Sequence, residues 1–271
     1  RTRGNTRFGF KSRGLGDVYK RQGQETHTVK LFDTELQQLS RAVLDFGALV
    51  TQQLDDAVRA LLNRDAGLAS EVLEREARVN QMDSDIEEAA VRLVATRSPK
   101  GRDLRAVFGM LKSGTDLERI GDEAKKVAKF AKRLAGSEAA GSHPLGPAIQ
   151  AMAAQAGDML RELWGAIEKA DLDGAVRAAE RDRALDREYS AALDEVHHLL
   201  QAGPEQAREL AETLLTLKSI ERIGDHAKNV ARHYVFYARG DNVSHVKARN
   251  LRSAAGLPEG DSRDGEESTA G

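Results

Sequence analysis

The sequence predicts an all-α protein built from two tandem antiparallel three-helix bundles related by an internal repeat. The first observation is a segment that recurs at a constant spacing: residues 116–130 and 219–233, 103 positions apart, are identical at nine of fifteen positions. The second is a helical period in both copies, which contain no proline. In the first copy, the apolar residues that recur every three or four positions on one helix face are Leu117, Ile120, Ala124, Val127, Ala131 and Leu134.

Composition agrees with a helix-rich protein and narrows the classes of function. The 271 residues are 40% hydrophobic and 31% charged, with five prolines and no cysteine; disulfides, thiolate zinc sites and cysteine nucleophiles are therefore excluded. No stretch approaches 18 apolar residues, so no membrane span is predicted, and no secretory signal is recognisable. With 41 basic against 43 acidic residues there is no basic excess for direct nucleic-acid binding. These features agree with a cytoplasmic protein.

Both ends of the chain are predicted to lie outside the bundles. Residues 1–27 are expected to be a non-native or disordered leader, because residues 1–22 hold seven basic residues and four glycines without a helical period. A basic targeting arm is the alternative. Without residues 1–22 the chain has 34 basic and 42 acidic residues, a net charge of −8. Residues 241–271 end in a Gly-, Asp-, Glu- and Ser-rich stretch and are predicted to form a disordered acidic tail.

The first bundle is predicted over residues 28–136. Its first helix covers about 36–63, and the turn after it offers Asp65 as the N-cap of the second. The second helix runs to about Thr96, where the sequence Ser-Pro-Lys-Gly ends it. The third helix, over about 103–134, carries the first Glu-Arg-Ile-Gly-Asp motif.

The second bundle is predicted over residues 148–240 on the same plan, after a linker at 137–147. A helix over about 147–169 is followed by a turn at Asp171, which lies 106 positions after its counterpart in the first half. A long helix then runs to a Gly-Pro pair, and the last helix, over about 205–239, carries the second motif. Long helices joined by short turns pack antiparallel, so the whole chain is expected to contain six helices.

Each copy of the motif carries two acidic residues on one flank of its apolar stripe. Glu118 and Asp122 are four positions apart, as are Glu221 and Asp225, so each pair stacks on one side of its helix. Like charges at this spacing destabilise a helix by about 0.2–0.5 kcal/mol. Because both copies contain the unfavourable pair, we expect a cation to lie over it.

The middle helices offer further ligands at a spacing of 106 residues. If the middle and last helices of each half are neighbours, four side chains meet, as in the carboxylate metal sites of helical bundles. The predicted metal ligands are Glu76, Asn80, Glu118 and Asp122 in the first half and Asp182, Asp186, Glu221 and Asp225 in the second. Oxygen ligands suit a divalent metal such as Mn or Mg, and Fe if histidine or water joins them. His226 is the only histidine nearby.

Salt bridges within the bundle are the alternative to metal ligation. Asp122 can pair with Lys125 or Lys126, and Asp225 can pair with Lys228. Stacked pairs at four matching repeat positions favour the metal. Each motif also contains a glycine inside the helix, which costs about 1 kcal/mol relative to alanine. Either close approach of a second helix or room for a ligand would explain it.

The chain shows no catalytic motif, and no enzymatic activity is predicted. There is no nucleophile with its base, no P-loop and no dinucleotide fingerprint. Two alternatives remain open. One is a carboxylate-bridged metal-binding bundle with an enzymatic or metal-storage role. Such sites use a Glu-x-x-His motif from each of two helices, and the sequence does not contain two such motifs. The other is a helical adaptor without metal.

Three stretches of the chain resemble the PhoU family of phosphate-uptake regulators. They are Val50-Thr51-Gln52-Gln53-Leu54, Glu118-Arg119-Ile120-Gly121-Asp122 and Ser219-Ile220-Glu221-Arg222-Ile223-Gly224-Asp225. The resemblance covers about residues 28–245. It implies two three-helix bundles related by a pseudo-twofold axis, with metal bound through Glu/Asp-x-x-x-Asp pairs. Asn80 departs from that pattern, so the first predicted metal site has three carboxylates where the second has four.

Family membership also implies a function and partners. The expected protein is a cytoplasmic homodimer that links the ATPase subunit of a phosphate ABC transporter to the sensor histidine kinase of the phosphate two-component system. It would act as a negative regulator of phosphate uptake and phosphate-starvation signalling when phosphate is plentiful.

Overall fold

The computed structural model describes residues 27–136, 145–203, 207–240 and 248–258. Within these ranges the chain is helical and has no β-strand, so the all-α prediction is confirmed. The first half contains α1 (His27–Asn63), α2 (Ala66–Glu74), α3 (Glu76–Arg97) and α4 (Gly101–Ala135). The second half contains α5 (Gly146–Glu168), α6 (Leu172–Glu180), α7 (Asp182–Ala202) and α8 (Ala207–Arg239), followed by α9 (Ala248–Ala254).

Corresponding aspartates start the second helix of each half. The Asp65 carboxylate accepts a hydrogen bond from the Leu68 amide at 2.9 Å, which confirms the predicted N-cap. The Asp171 carboxylate accepts one from the Gly174 amide at 3.0 Å, 106 positions later. Each aspartate thus satisfies an amide at the start of a helix, where no carbonyl of the preceding turn is available.

The two tandem bundles are confirmed, but the count of six helices is wrong, because the middle helix of each half is interrupted in the described residues. The breaks fall at Arg75, between α2 and α3, and at Arg181, between α6 and α7. Arg75 has ψ −10°, far from the value of about −42° that continues an α-helix. Its guanidinium lies 2.6 Å from the Asp56 carboxylate of α1, and that of Arg181 lies 2.6 Å from Glu162 of α5. An ion pair to the first helix of each half therefore accompanies each break.

The predicted disordered tail contains one further helix. α9 lies within 241–271, and Leu251 and Ala255 are fully buried. Arg252 of α9 donates hydrogen bonds to Glu180 at 2.9 and 3.0 Å and to Asp173 at 2.6 Å. One buried leucine and one ion-paired arginine thus fix this short helix against α6. The rest of the predicted tail, residues 241–247 and 259–271, lies outside the described residues, as do leader residues 1–26 and linker residues 137–144.

α1 begins earlier than the periodicity predicts, whereas α5 begins within one residue of its predicted start. α1 begins at His27 rather than near residue 36. α5 begins at Gly146, inside the predicted linker, and Leu145 before it is buried. Pro147 stands in the first turn of α5, where its missing amide hydrogen costs no helical hydrogen bond. None of the described helices is long and apolar enough to cross a membrane.

The two halves meet through two pairs of helices. α1 packs on α5, where the indole of Trp164 lies over Gly47 and donates a hydrogen bond to Thr51 Oγ1 at 3.0 Å. α4 packs on α8 along much of its length. Arg133 near the end of α4 pairs with Glu212 near the start of α8, so these two helices run antiparallel.

Candidate functional site

The two copies of the motif lie side by side where α4 and α8 cross. Glu123, directly after the first motif, pairs with Arg222 of the second at 3.5 Å. A cleft of about 680 Å³ opens between the two copies. It is lined by Glu118, Arg119, Asp122, Glu123, Lys126, Arg222, Asp225, His226, Lys228, Asn229 and Arg232.

Close approach of a neighbouring helix explains the glycine in each motif. A Cβ atom on Gly121 would lie 2.9 Å from Val79 Cγ1 of α3. A Cβ atom on Gly224 would overlap the Leu185 side chain of α7. Both neighbours are buried. The missing side chain therefore lets α3 and α7 approach the motif helices, and it brings the first residues of those helices beside the motif carboxylates.

The first acidic cluster gathers side chains from α3 and α4. Lys125 Nζ lies 2.6 Å from Glu76 Oε1 and 3.3 Å from Asp122 Oδ1, so one ammonium bridges the two helices. The pKa of the Glu118 carboxyl is raised, first by burial and then by the negative charges of Asp122, Asp83 and Glu76. Four carboxylates thus face one another with a single bridging lysine.

Two further features of the first cluster concern the carboxylates of Glu76 and Asp83. Glu76 Oε2 is buried and has no hydrogen-bond partner among the described residues. Burial, with a smaller contribution from Glu87, raises the pKa of the Asp83 carboxyl. Asp83 was not among the predicted ligands. Asn80, which was a predicted ligand, is exposed. Within the described part of the chain, no hydrogen bond joins Asn80 to the other three predicted ligands of the first half.

The second acidic cluster repeats this arrangement on α7 and α8. The Lys228 ammonium contacts the Asp182 carboxylate and lies 2.7 Å from Asp225 Oδ1. A second lysine, Lys218, lies 2.6 Å from Glu221 Oε2. Burial raises the pKa of the Asp182 carboxyl despite its contact with Lys228. The pKa of the Asp186 carboxyl, on the exposed side of α7, is also raised by burial and by the charges of Glu221 and Asp225, against the opposing effect of Lys228.

The salt-bridge alternative therefore describes the contacts in both halves. Among the described residues, no three acidic or histidine side chains converge as ligands of a metal ion. The donor set is nonetheless made of carboxylate oxygens, carries more negative charge than its lysines neutralise, and includes the unpartnered Glu76 Oε2. These properties fit a divalent cation that prefers oxygen ligands.

One buried carboxylate that is not a predicted ligand joins the two halves. Asp116 of α4 is bound by three side chains of α8: His226 Nδ1 at 2.8 Å, His233 Nε2 at 2.9 Å and Asn229 Nδ2 at 3.3 Å. Burial alone would raise the pKa of Asp116, but the hydrogen bonds from both histidines and the asparagine outweigh it and hold the pKa at about 2. His226 thus faces Asp116 and is not positioned as a metal ligand.

The sequence contains a signal for this contact. His226, Asn229 and His233 are spaced by three and four positions and therefore share one face of α8. Asp116 opens the first repeat segment at a position where the second has Ser219. A polar stripe on one helix and an unmatched acidic residue on its repeat partner indicate a buried polar contact between them.

The fold and the site define a class of protein: a duplicated helical bundle in which each half places a Glu-Arg-Ile-Gly-Asp motif beside an acidic cluster. The family model of the PhoU domain matches residues 43–131 and 149–233, one match in each half. The chain belongs to the PhoU family.

Characterised relatives and solved structures agree with this assignment. The chain is 38% identical over 227 residues, 83% of this chain and 93% of the relative, to the phosphate-specific transport system accessory protein PhoU homolog of Pseudomonas aeruginosa. It is 32% identical over 225 residues, 83% of this chain and 92% of the relative, to PhoU of Escherichia coli.

Two crystal structures share the fold. PhoU from Pseudomonas aeruginosa superposes with a TM-score of 0.72 at 38% identity, covering 78% of this chain and all of that one. The phosphate transport system regulatory protein PhoU from Streptococcus pneumoniae has a TM-score of 0.72 at 28% identity, covering 78% of this chain and 99% of that one.

Proposed function

We propose that this protein is a non-enzymatic accessory protein of a phosphate-specific transport system and a negative regulator of phosphate uptake and phosphate-starvation signalling. The match of both halves to the PhoU domain carries the proposal. Relatives that align over more than nine-tenths of their own length are named as accessory proteins of this transport system. The long α4–α8 contact between the halves suits a protein that transmits a binding event from one half to the other.

The partners we propose are those of a cytoplasmic adaptor. One is the ATPase subunit of the phosphate ABC transporter, and the other is the sensor histidine kinase of the phosphate two-component system. The adaptor would act as a homodimer and without direct contact to nucleic acid. The absence of a basic excess in the sequence supports the last point, because nucleic-acid binding depends on neutralising many phosphates.

Gene deletion tests the regulatory role. In phosphate-rich medium, a strain without the gene should produce alkaline phosphatase that the parent strain represses, and a plasmid copy of the gene should restore repression. The assay is phosphatase activity in both strains, grown in high and in low phosphate. If the deletion strain represses phosphatase normally and induces it normally on starvation, the regulatory proposal is wrong.

We further propose that each acidic cluster holds a divalent metal such as Mn, Mg or Fe. Glu76, Asp83, Glu118 and Asp122 would hold it in the first half. Asp182, Asp186, Glu221 and Asp225 would hold it in the second. The metal would supply positive charge that neutralises these carboxylates and would stabilise the folded state, which alone brings them together. Asn80 is left out of the proposed set because it carries no carboxylate, and in the described part of the chain no hydrogen bond joins it to the other ligands.

Replacing Glu221 and Asp225 together by alanine tests the second metal site. A ligand that binds only the folded state stabilises it by about 2.7 kcal/mol at a hundredfold excess over its Kd. The double variant should lose this stabilisation for the second half and should change little in metal-free buffer, because repulsion among its carboxylates is relieved. Thermal melts with EDTA, Mn²⁺ or Mg²⁺ measure both quantities.

Asp194→Ala together with Glu195→Ala provides a matched control, because both residues are exposed on α7 about two turns beyond Asp186. This variant should keep the full response to Mn²⁺. An unchanged metal response in the Glu221/Asp225 variant would mean that the ions bind elsewhere. A large loss of stability in EDTA would instead identify these two residues as salt-bridge partners only.

A further inference from the structure

Each acidic cluster contains one lysine at an equivalent position. Lys125 and Lys228 are 103 residues apart, the spacing of the two motifs, and each stands three positions after the aspartate that ends its motif. Each contacts that aspartate and also the first residue of the neighbouring helix, Glu76 of α3 or Asp182 of α7. The same ammonium bridge is therefore built twice, between different pairs of helices.

Each ammonium group lies between two of the carboxylates that would hold a metal. Lys228 keeps 13% of its side chain exposed and Lys125 keeps 26%, so both are mostly enclosed but still reach solvent. A lysine side chain is a compact charge on a flexible four-carbon stem. It can therefore leave the cluster by rotating its stem, without movement of either helix.

The lysines supply less positive charge than either set of four carboxylates carries. In the first cluster Lys125 contacts two of four acidic residues, and Glu76 Oε2 remains buried without a hydrogen bond in the described structure. In the second cluster Lys218 adds a contact to Glu221, while Asp186 faces further negative charge. A divalent ion would neutralise more of this charge, but it must compete with a lysine that is already in place.

We propose that Lys125 and Lys228 are built-in counterions that occupy the metal-free clusters and that a divalent metal must displace, so that these lysines set the metal affinity of the protein. This inference rests on the proposed metal binding and deepens it. Under this proposal, metal binding would also change how the two helices of each cluster are joined. Binding would exchange the ammonium bridge between α3 and α4, or between α7 and α8, for metal ligation and would release the lysine to solvent.

Replacement of each lysine by methionine, singly and together, tests the proposal. Methionine keeps an unbranched stem and removes the charge. Lys132→Met is the matched control, because Lys132 is exposed on α4 about two turns beyond Lys125 and does not line the cleft. Titration of EDTA-treated full-length protein with Mn²⁺, followed by the electron paramagnetic resonance signal of free Mn²⁺, gives the affinity directly.

The double variant should bind Mn²⁺ about tenfold more tightly or better, since it loses a charge competitor at each site. Lys132→Met should bind as the wild type does. In EDTA the double variant should melt below the wild type, because its carboxylates lose their counterions, and saturating Mn²⁺ should remove that difference. Lys125→Gln and Lys228→Gln, which keep a hydrogen-bonding head without charge, provide the same test if the methionine variants do not fold.

The possible failures are distinguishable. Wild-type protein that binds Mn²⁺ while the lysine variants bind it equally or more weakly would overturn the displacement proposal and leave the metal sites standing. No Mn²⁺ binding by any of the proteins would overturn the metal proposal and this inference together. Neither result bears on the phosphatase assay, which tests the regulatory role by itself.

Discussion

Asp116→Asn should destabilise the protein by about 3 kcal/mol, because hydrogen bonds to a charged group contribute about 1.5–3 kcal/mol each and this carboxylate accepts from two histidines and one asparagine. The substitution keeps the volume of the side chain and removes its charge. It also turns one acceptor oxygen into an amide donor that faces a donor of α8. Urea unfolding in EDTA, followed by the fluorescence of Trp164, the single tryptophan, measures the loss.

Asp158→Asn is the control for Asp116→Asn. Asp158 pairs with Arg161 on the exposed face of α5, at 59% side-chain exposure, and such surface pairs contribute about 0–1 kcal/mol. The control should therefore unfold within about 1 kcal/mol of the wild type. If Asp116→Asn also remained that close to wild type, the contact between α4 and α8 would not depend on this charge.

The contribution of Asp116 should also depend on pH in a defined direction. Its folded-state pKa lies at about 2, below the ordinary value of 3.8. The stabilisation is thus fully present above about pH 4 and is lost as the pH falls through the folded-state value. This shift of the pKa corresponds to a stabilisation of about 2 kcal/mol, since one pKa unit corresponds to 1.36 kcal/mol. The stability difference between wild type and Asp116→Asn should accordingly narrow between pH 4 and pH 2.

The main lines of the fold could be predicted because they depend on local patterns and on the repeat. The apolar stripe around Ile120 and the N-cap at Asp65 are signals within a few residues of the structure that they specify. The break at Arg75 has no such signal, since neither glycine nor proline marks it and its ion-pair partner, Asp56, lies 19 residues earlier. The sequence did not predict α9, because the burial of this helix depends on contacts with α6, which lies much earlier in the chain.

The candidate site shows the same division between local and distant information. The repeat spacing locates the motif carboxylates and their partners Glu76 and Asp182 on neighbouring helices. It does not show which of several nearby lysines enters a cluster, because Lys125 and Lys126 differ only in helix face. It also does not reveal that Asn80 is exposed. Those outcomes depend on how α3 rotates against α4.

The second large effect is expected at the helix breaks, where the two halves provide an internal comparison. Arg75 and Arg181 occupy equivalent positions, 106 residues apart, and each pairs with a carboxylate on the first helix of its half. The partner of Arg75 is Asp56, with 6% of its side chain exposed. The partner of Arg181 is Glu162, with 27% exposed and with Arg177 as a second cation.

Arg75→Met should lower the free energy of unfolding by about 3 kcal/mol, the lower end of the range for removing one partner of a buried ion pair. The lower end applies because Asp56 still pairs with Arg59 in this variant. Arg181→Met should cost about 1 kcal/mol or less, since its more exposed partner can be hydrated. Both variants are measured by urea unfolding of the full chain in EDTA. The breaks at Arg75 and Arg181 have nearly the same backbone conformation, with ψ −10° and −21°, so the two variants differ mainly in the ion pair that they remove. Equal losses in the two variants would show that the break itself sets the cost; the predicted inequality would show that burial of the paired carboxylate does.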